Sequence, residues 1–174
     1  MYDLKTAREQ DLTQIYELYK GAIQKVNQGT VKLGWNIEIY PDLAFMKEAV
    51  AKEQMLIFCE GEKLLACGVV NHSMIPEYEM ISWRVSEPKE KIATIHALAA
   101  DAESWGKGIS SKFLQVILEY CRKRGDAALH LDVIDTNLPA ERLYLRNGFE
   151  KVQEYPMLYE SVGNRMFSMM EYVF

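Results

Sequence analysis

A chain of 174 residues, 49% apolar and 26% charged, is long enough to fold as one domain around its own core. Its formal charge of −5 and isoelectric point near 5.3 argue against the basic face that nucleic-acid phosphates require. No apolar run approaches the length of a membrane helix, and Cys59, Cys67 and Cys121 lack the paired spacing of a zinc site or disulfide scaffold.

The N-terminus Met1-Tyr2-Asp3-Leu4-Lys5 has no signal-peptide pattern, so a cytoplasmic protein is expected, with neither a nucleic-acid nor a membrane partner and no bound metal. Residues 2–8 read as a first strand. Asp11 is positioned to cap a helix whose apolar face runs through Leu12, Ile15, Tyr16, Leu18, Tyr19, Ala22, Ile23 and Val26, and Asn27-Gln28-Gly29 stops it. Residues 33–41 are irregular and aromatic, and Asp42 then caps a short helix from Leu43 to Lys52. Met55–Cys59 and Leu64–Asn71 form a hairpin turned at Gly61, which places Cys59 and Cys67 on adjacent strands as small core residues. Met74–Ser86 reads as a longer connection with some strand character, and Ile92–Ala100 as a buried strand.

After that strand come Ser104-Trp105-Gly106-Lys107-Gly108-Ile109-Ser110 and an amphipathic helix with apolar positions Ile109, Phe113, Val116, Ile117, Tyr120 and Cys121, ended by Gly125. Ala127–Val133 is a strand with Leu129, Leu131 and Val133 on one face and His130 and Asp132 on the other. Asn137 and Pro139 open a last helix that Asn147-Gly148 ends, and Phe149–Tyr155 and Met166–Val173 close the chain as strands. This order is that of a single α/β (α+β) domain spanning residues 1–174.

The stretch from Ile95 to Ser110 is strand, glycine loop, helix. A helix start offers unpaired N–H groups and the positive end of the helix dipole, and glycines let an anion approach those amides. A nucleotide-type cofactor cradle follows. It is not a Walker loop, because Gly108 and not Ser or Thr follows Lys107, and not a dinucleotide fingerprint, because Ser111 stands where the third glycine belongs.

The stretch resembles the central signature of the GNAT superfamily of N-acetyltransferases, in which a Leu-Ala-Val strand end leads to an Arg/Gln-x-x-Gly-x-Gly/Ala loop. Here Ala100 replaces the usual Val, Trp105 the Arg or Gln, and Ser110 the Gly or Ala. The run Asn137-Leu138-Pro139-Ala140-Glu141-Arg142-Leu143-Tyr144-Leu145-Arg146-Asn147-Gly148-Phe149 resembles the family's second signature, Asn-x-x-Ala-x-x-Leu-Tyr-x-x-x-Gly-Phe, in the right order and at the usual separation.

The resemblance implies a mixed, mostly antiparallel sheet flanked by helices, with the strands 92–100 and 127–133 splayed at a cofactor cleft. It also implies direct acetyl transfer from acetyl-CoA to the primary amine of a small molecule or peptide. The cofactor would lie on Leu98, Ala99 and Ala100, on the loop Trp105, Gly106, Lys107, Gly108, Ile109 and Ser110, and beside Asn137 and Ala140. A backbone amide near Leu98 or Ala99 is the expected donor to the carbonyl oxygen as it gains charge.

The departing thiolate needs a proton, and Tyr144 is placed by the resemblance to supply it as general acid. An alkylamine with a pKa of about 10.4 must lose one. His96 is either that base or a packed core histidine, and Glu79 is a back-up base; Thr94 stands where relatives carry a glutamate or a further histidine. His72 and His130 read as structural or solvent-facing. Trp35, Tyr40, Tyr78 and Trp83 are the expected acceptor wall, or else plain core. The competing reading is a domain of the same shape that binds acetyl-CoA without turnover. Longer acyl groups, an alcohol acceptor and a homodimer are all compatible with the sequence.

Overall fold

The computed structural model describes residues 1–159 and 163–174. The chain runs β1 (Tyr2–Thr6), α1 (Leu12–Asn27), α2 (Leu43–Ala51), β2 (Met55–Glu60), β3 (Lys63–Asn71), β4 (Ile92–Ala100), α3 (Ile109–Arg124), β5 (Ala128–Ile134), α4 (Leu138–Arg146), β6 (Glu150–Tyr159) and β7 (Gly163–Val173). Seven strands form one sheet in the order β1-β2-β3-β4-β5-β7-β6. Every neighbouring pair is antiparallel except β4 and β5.

Period-two alternation in the strands gives the sheet two apolar faces, each covered by helices. On one, Ile15, Tyr19 and Ala22 of α1 and Met46 and Ala49 of α2 pack on Ile57, Cys67, Val69, Ala97 and Ala99. On the other, Phe113, Leu114, Ile117 and Cys121 of α3 pack on Phe58, Ala93, Ile95, Leu129 and Leu131. A third cluster, with Tyr78, Ile134, Met157 and Phe167, extends the core beside β5 and β7.

The local structure departs from the sequence reading in a few places. Asp11 does not cap α1 with its side chain; the carboxylate accepts the Arg8 N–H at 2.8 Å across a single 3-10 turn that precedes the helix. The first strand stops at Thr6. Residues 74–86 hold no strand; Pro76, with fixed φ and no N–H to give a ladder, starts a 3-10 helix over Pro76–Met80. The last two strands start earlier or run later than expected, because β6 is an edge strand, where Pro156 costs no ladder bond.

Two features bend β4 away from β5. Cys67 pairs with Ala99 but Val69 with His96, so one extra residue bulges from β4, and Ala97 there takes a left-handed φ of 50°. Its carbonyl accepts the Tyr19 hydroxyl of α1 at 2.7 Å. Gly68 makes room for this, since a Cβ there would meet the Leu98 Cα at 3.3 Å. Gly68→Ala should therefore displace the bulge by a few tenths of an ångström. We expect it to lower kcat by about 5-fold, with a stability loss of about 1 kcal/mol or less; an unchanged kcat on steady-state assay would show that the position of Leu98 is not critical.

Candidate active site

Parallel pairing of β4 with β5 covers only Ile92 with Ala128, Ala93 with Leu129 and Thr94 with His130. Beyond that rung the strands part, and a cavity of about 1230 Å³ opens between them. Two residues past the last rung on each arm stand His96 and Asp132, on the same face of the sheet and both lining the cavity.

The splayed arm of β4 presents main-chain groups to this space. Asp101 N–H donates to Leu65 O at 2.8 Å, so alternation directs Ala99 toward β3 and Leu98 and Ala100 toward the opening. The Ala100 carbonyl accepts the Trp105 indole N–H at 3.0 Å. Trp105 thus has a structural task that an Arg or Gln would perform differently, closing the strand end while its ring lies under Lys25, whose Nζ is 4.8 Å from the ring centre.

Gly106 and Gly108 adopt φ of 79° and 76°, conformations that side chains resist. Gly108 is the N-cap of α3 and no side chain caps the helix, so the amides of its first turn face the cavity at Ile109, Ser110 and Ser111. Lys25 and Arg146 line the same end. The Ser111 hydroxyl donates to Asn147 Oδ1 at 3.0 Å and Asn147 Nδ2 to Leu143 O at 2.8 Å, tying the start of α3 to the end of α4. A diphosphate at this mouth would meet backbone donors, a helix dipole and two cations, and a peptide-like arm would meet the outward-turned groups of Leu98 and Ala100. The residues fit acetyl-CoA.

Of the residues singled out from sequence, His96, Leu98, Ala99, Ala100, Trp105, Gly106, Gly108, Ile109, Ser110, Asn137, Ala140, Tyr144, Trp35 and Tyr40 all line this one cavity. Asn137 also caps α4, accepting the Ala140 N–H at 3.3 Å. The others lie elsewhere. Lys107 is exposed outside the lining, its N–H bound to Ser104 O, because the tight turn between the two glycines throws its side chain outward. Trp83 stacks on the buried His130 with ring centres 3.7 Å apart and donates to Tyr78 O, so it belongs to the core and not to an acceptor wall. Tyr78 is 1% exposed and outside the lining, and its hydroxyl donates to Asp132 Oδ2 at 2.7 Å, so it supports the cavity from behind Asp132 and does not form an acceptor wall. Glu79 is an exposed partner of Lys89, away from the cleft. His72 pairs with Asp126 at 2.7 Å, and His130 Nε2 with Glu171 at 2.9 Å. Thr94 is fully buried opposite His130.

Tyr144 is buried, its ring edge-on to Phe149 with centres 5.4 Å apart. Burial, and to a smaller extent the charge of Asp132, pushes its phenol up, so it keeps its proton at neutral pH. His96 is half-buried with Nε2 3.1 Å from Ser73 O; a carbonyl only accepts, so Nε2 carries the proton and Nδ1 is the acceptor. Burial lowers its pKa, against the smaller opposing effect of the Ser73 carbonyl, and the ring is neutral at pH 7.

Asp132 was legible as an acid on the polar face of a strand, but its place at the fork of β4 and β5 was not. Desolvation raises its carboxyl to about 6, against the Tyr78 hydrogen bond and with help from Glu77.

Residues 12–149 match the Acetyltransferase (GNAT) family. An uncharacterized N-acetyltransferase of Methanocaldococcus jannaschii is 33% identical over 70 residues, which is 40% of this chain and 31% of that protein's length. Among solved structures, a GNAT-family acetyltransferase of Streptococcus agalactiae superposes with a TM-score of 0.84 at 16% identity, over 99% of this chain and 95% of that one. The yncA protein of Salmonella typhimurium, solved with its cofactor acetyl-CoA, gives 0.72 at 17% identity over 99% and 94%. Family match, splayed strands and glycine-lined helix mouth agree: the chain belongs to the GNAT acetyltransferase family.

Proposed function

We propose that the protein transfers an acetyl group from acetyl-CoA directly to the nitrogen of a primary amine. The observation that carries this reading is a single cavity joining the uncapped first turn of α3 to His96 and Tyr144 through a fork in the sheet. When bound there, acetyl-CoA supplies an acetyl carbon activated as a thioester.

Leu98 N–H, turned into the opening, donates to the carbonyl oxygen as it gains charge, the donor that sequence left between Leu98 and Ala99. His96 Nδ1 takes one proton from the ammonium and passes it to solvent; the neutral nitrogen then forms its bond to the acetyl carbon and gives its second proton to His96, while Tyr144 gives its phenolic proton to the sulfur as the carbon–sulfur bond breaks. Release of the amide and the thiol, with a proton returned from His96 to Tyr144 by way of solvent, restores both residues. Lys25 and Arg146 complement the diphosphate, and Trp35 and Tyr40 face the acceptor.

Following free-thiol release across a panel of amines tests the reading, and binding of acetyl-CoA without release from any of them would leave only a binding domain. His96→Ala should lower kcat/KM by about 30-fold at pH 7. The lowered pKa keeps His96 neutral somewhat below pH 6.5, so the acid limb it controls falls beneath that pH in the wild type. The deficit of the variant should shrink as pH approaches the amine's own pKa of about 10, where the base is no longer needed. A deficit that holds constant across pH–rate profiles removes His96 from proton transfer.

A further inference from the structure

The two ends of the cavity differ in charge. Lys25 and Arg146, the lysine and arginine of its described lining, both stand toward the α3 mouth: Lys25 lies over Trp105, and Arg146 adjoins Asn147, which is bound to Ser111. Asp132 is the one carboxylate among the described lining residues, and it lies on the other side of the fork. The Tyr78 hydroxyl fixes Oδ2, and among the described residues no donor is bound to Oδ1.

Tyr40 and Tyr159 lie near enough to Asp132 to feel its charge, and each has a second ring beside it. Trp35 meets Tyr40 edge-on with ring centres 6.4 Å apart, Tyr159 meets Phe167 at 5.1 Å, and all four residues line the cavity. Leu33 and Ile75 complete an apolar wall. Tyr40 and Tyr159, pushed up chiefly by burial and further by the charge of Asp132, keep their protons at neutral pH.

A carboxylate in an aromatic, water-poor recess attracts an organic cation, and aromatic faces add to the attraction. A carboxylate-bearing acceptor would meet the opposite conditions: no cation on this side among the described lining residues, and repulsion from Asp132 and from Glu77, near enough to affect its titration. We infer that Asp132 receives the ammonium of the incoming acceptor, and that the acceptor is a carboxylate-free primary amine on an apolar or aromatic skeleton. This rests on the amine-acetylating reading above and names the substrate class for it. Asp132 orients the nitrogen at the fork, and His96, on the opposite arm, then takes its proton.

Matched pairs test this directly: 2-phenylethylamine against phenylalanine, and hexylamine against 6-aminohexanoate. Each is titrated calorimetrically into the CoA-loaded protein and assayed for thiol release with acetyl-CoA. The carboxylate-free member of each pair should bind more tightly and show a kcat/KM about 100-fold higher. Asp132→Asn should reduce kcat/KM for the amines by about 30-fold, mainly through KM, with the affinity for acetyl-CoA unchanged. The wild-type pairs decide the matter even if the variant does not fold. Equal or better use of the amino acids, no binding of either simple amine to the CoA-loaded protein, or an unchanged KM in a folded Asp132→Asn overturns the assignment. Thiol release with amino acids alone would sink it while leaving acetyl transfer standing. Failure of acetyl-CoA itself to bind would bring down both.

Discussion

Tyr144→Phe should slow turnover by about 10²–10³-fold and leave the affinity for acetyl-CoA where it was. The substitution removes one oxygen and keeps the ring, so the edge contact with Phe149 survives and the fold is undisturbed. Tyr144 lines the open cavity, so loss of its hydroxyl should shift stability by about 0.5 kcal/mol or less. What disappears is a proton held in place by a buried phenol at the fork of the sheet. Single-turnover thiol release separates chemistry from binding, and a wild-type rate in Tyr144→Phe would take this residue out of the reaction.

Gly108→Val should act on the other half of the site, raising the dissociation constant for acetyl-CoA by about 10–100-fold. At a φ of 76° a valine carries roughly 1–2 kcal/mol of left-handed strain, and its branched side chain resists that geometry further. The space around Gly108 is open, so the damage comes from the backbone and not from a clash. Relaxing the strain turns the first-turn amides of α3 away from the mouth of the cavity. Because the loop is exposed and the helix is anchored by Ile109, Phe113 and Ile117, the melting temperature should change far less than the affinity. Calorimetric titration checks both at once, and an unaltered affinity would show that the anion is held by side chains instead.

Both substitutions fall in parts of the chain whose local geometry is legible in the sequence. The glycine loop is contiguous, and glycine at 106 and 108 before an amphipathic helix states its own backbone requirement. The same holds for Asn137 as cap and Gly148 as stop around Tyr144, since capping and left-handed geometry act over three or four residues. Trp83 shows the opposite case. An aromatic residue in a loop reads equally as pocket wall or core, and only the stacking on His130 assigns it to the core.

Asp132 makes the contrast sharpest. Its position on the polar face of a strand follows from alternation, yet an alternating strand does not disclose which neighbour it pairs with or where pairing stops. That depends on the bulge at Ala97, on the Tyr19 hydroxyl reaching across from α1, and on the lack of a side chain at Gly68. By itself the sequence determined the order of elements and the helix mouth, because periodicity, caps and glycine geometry are local, and its two contiguous motifs carried the resemblance to the family. The tertiary structure alone decided where β4 and β5 part and which acid, histidine and rings share the gap, because register and burial come from residues far apart in the chain.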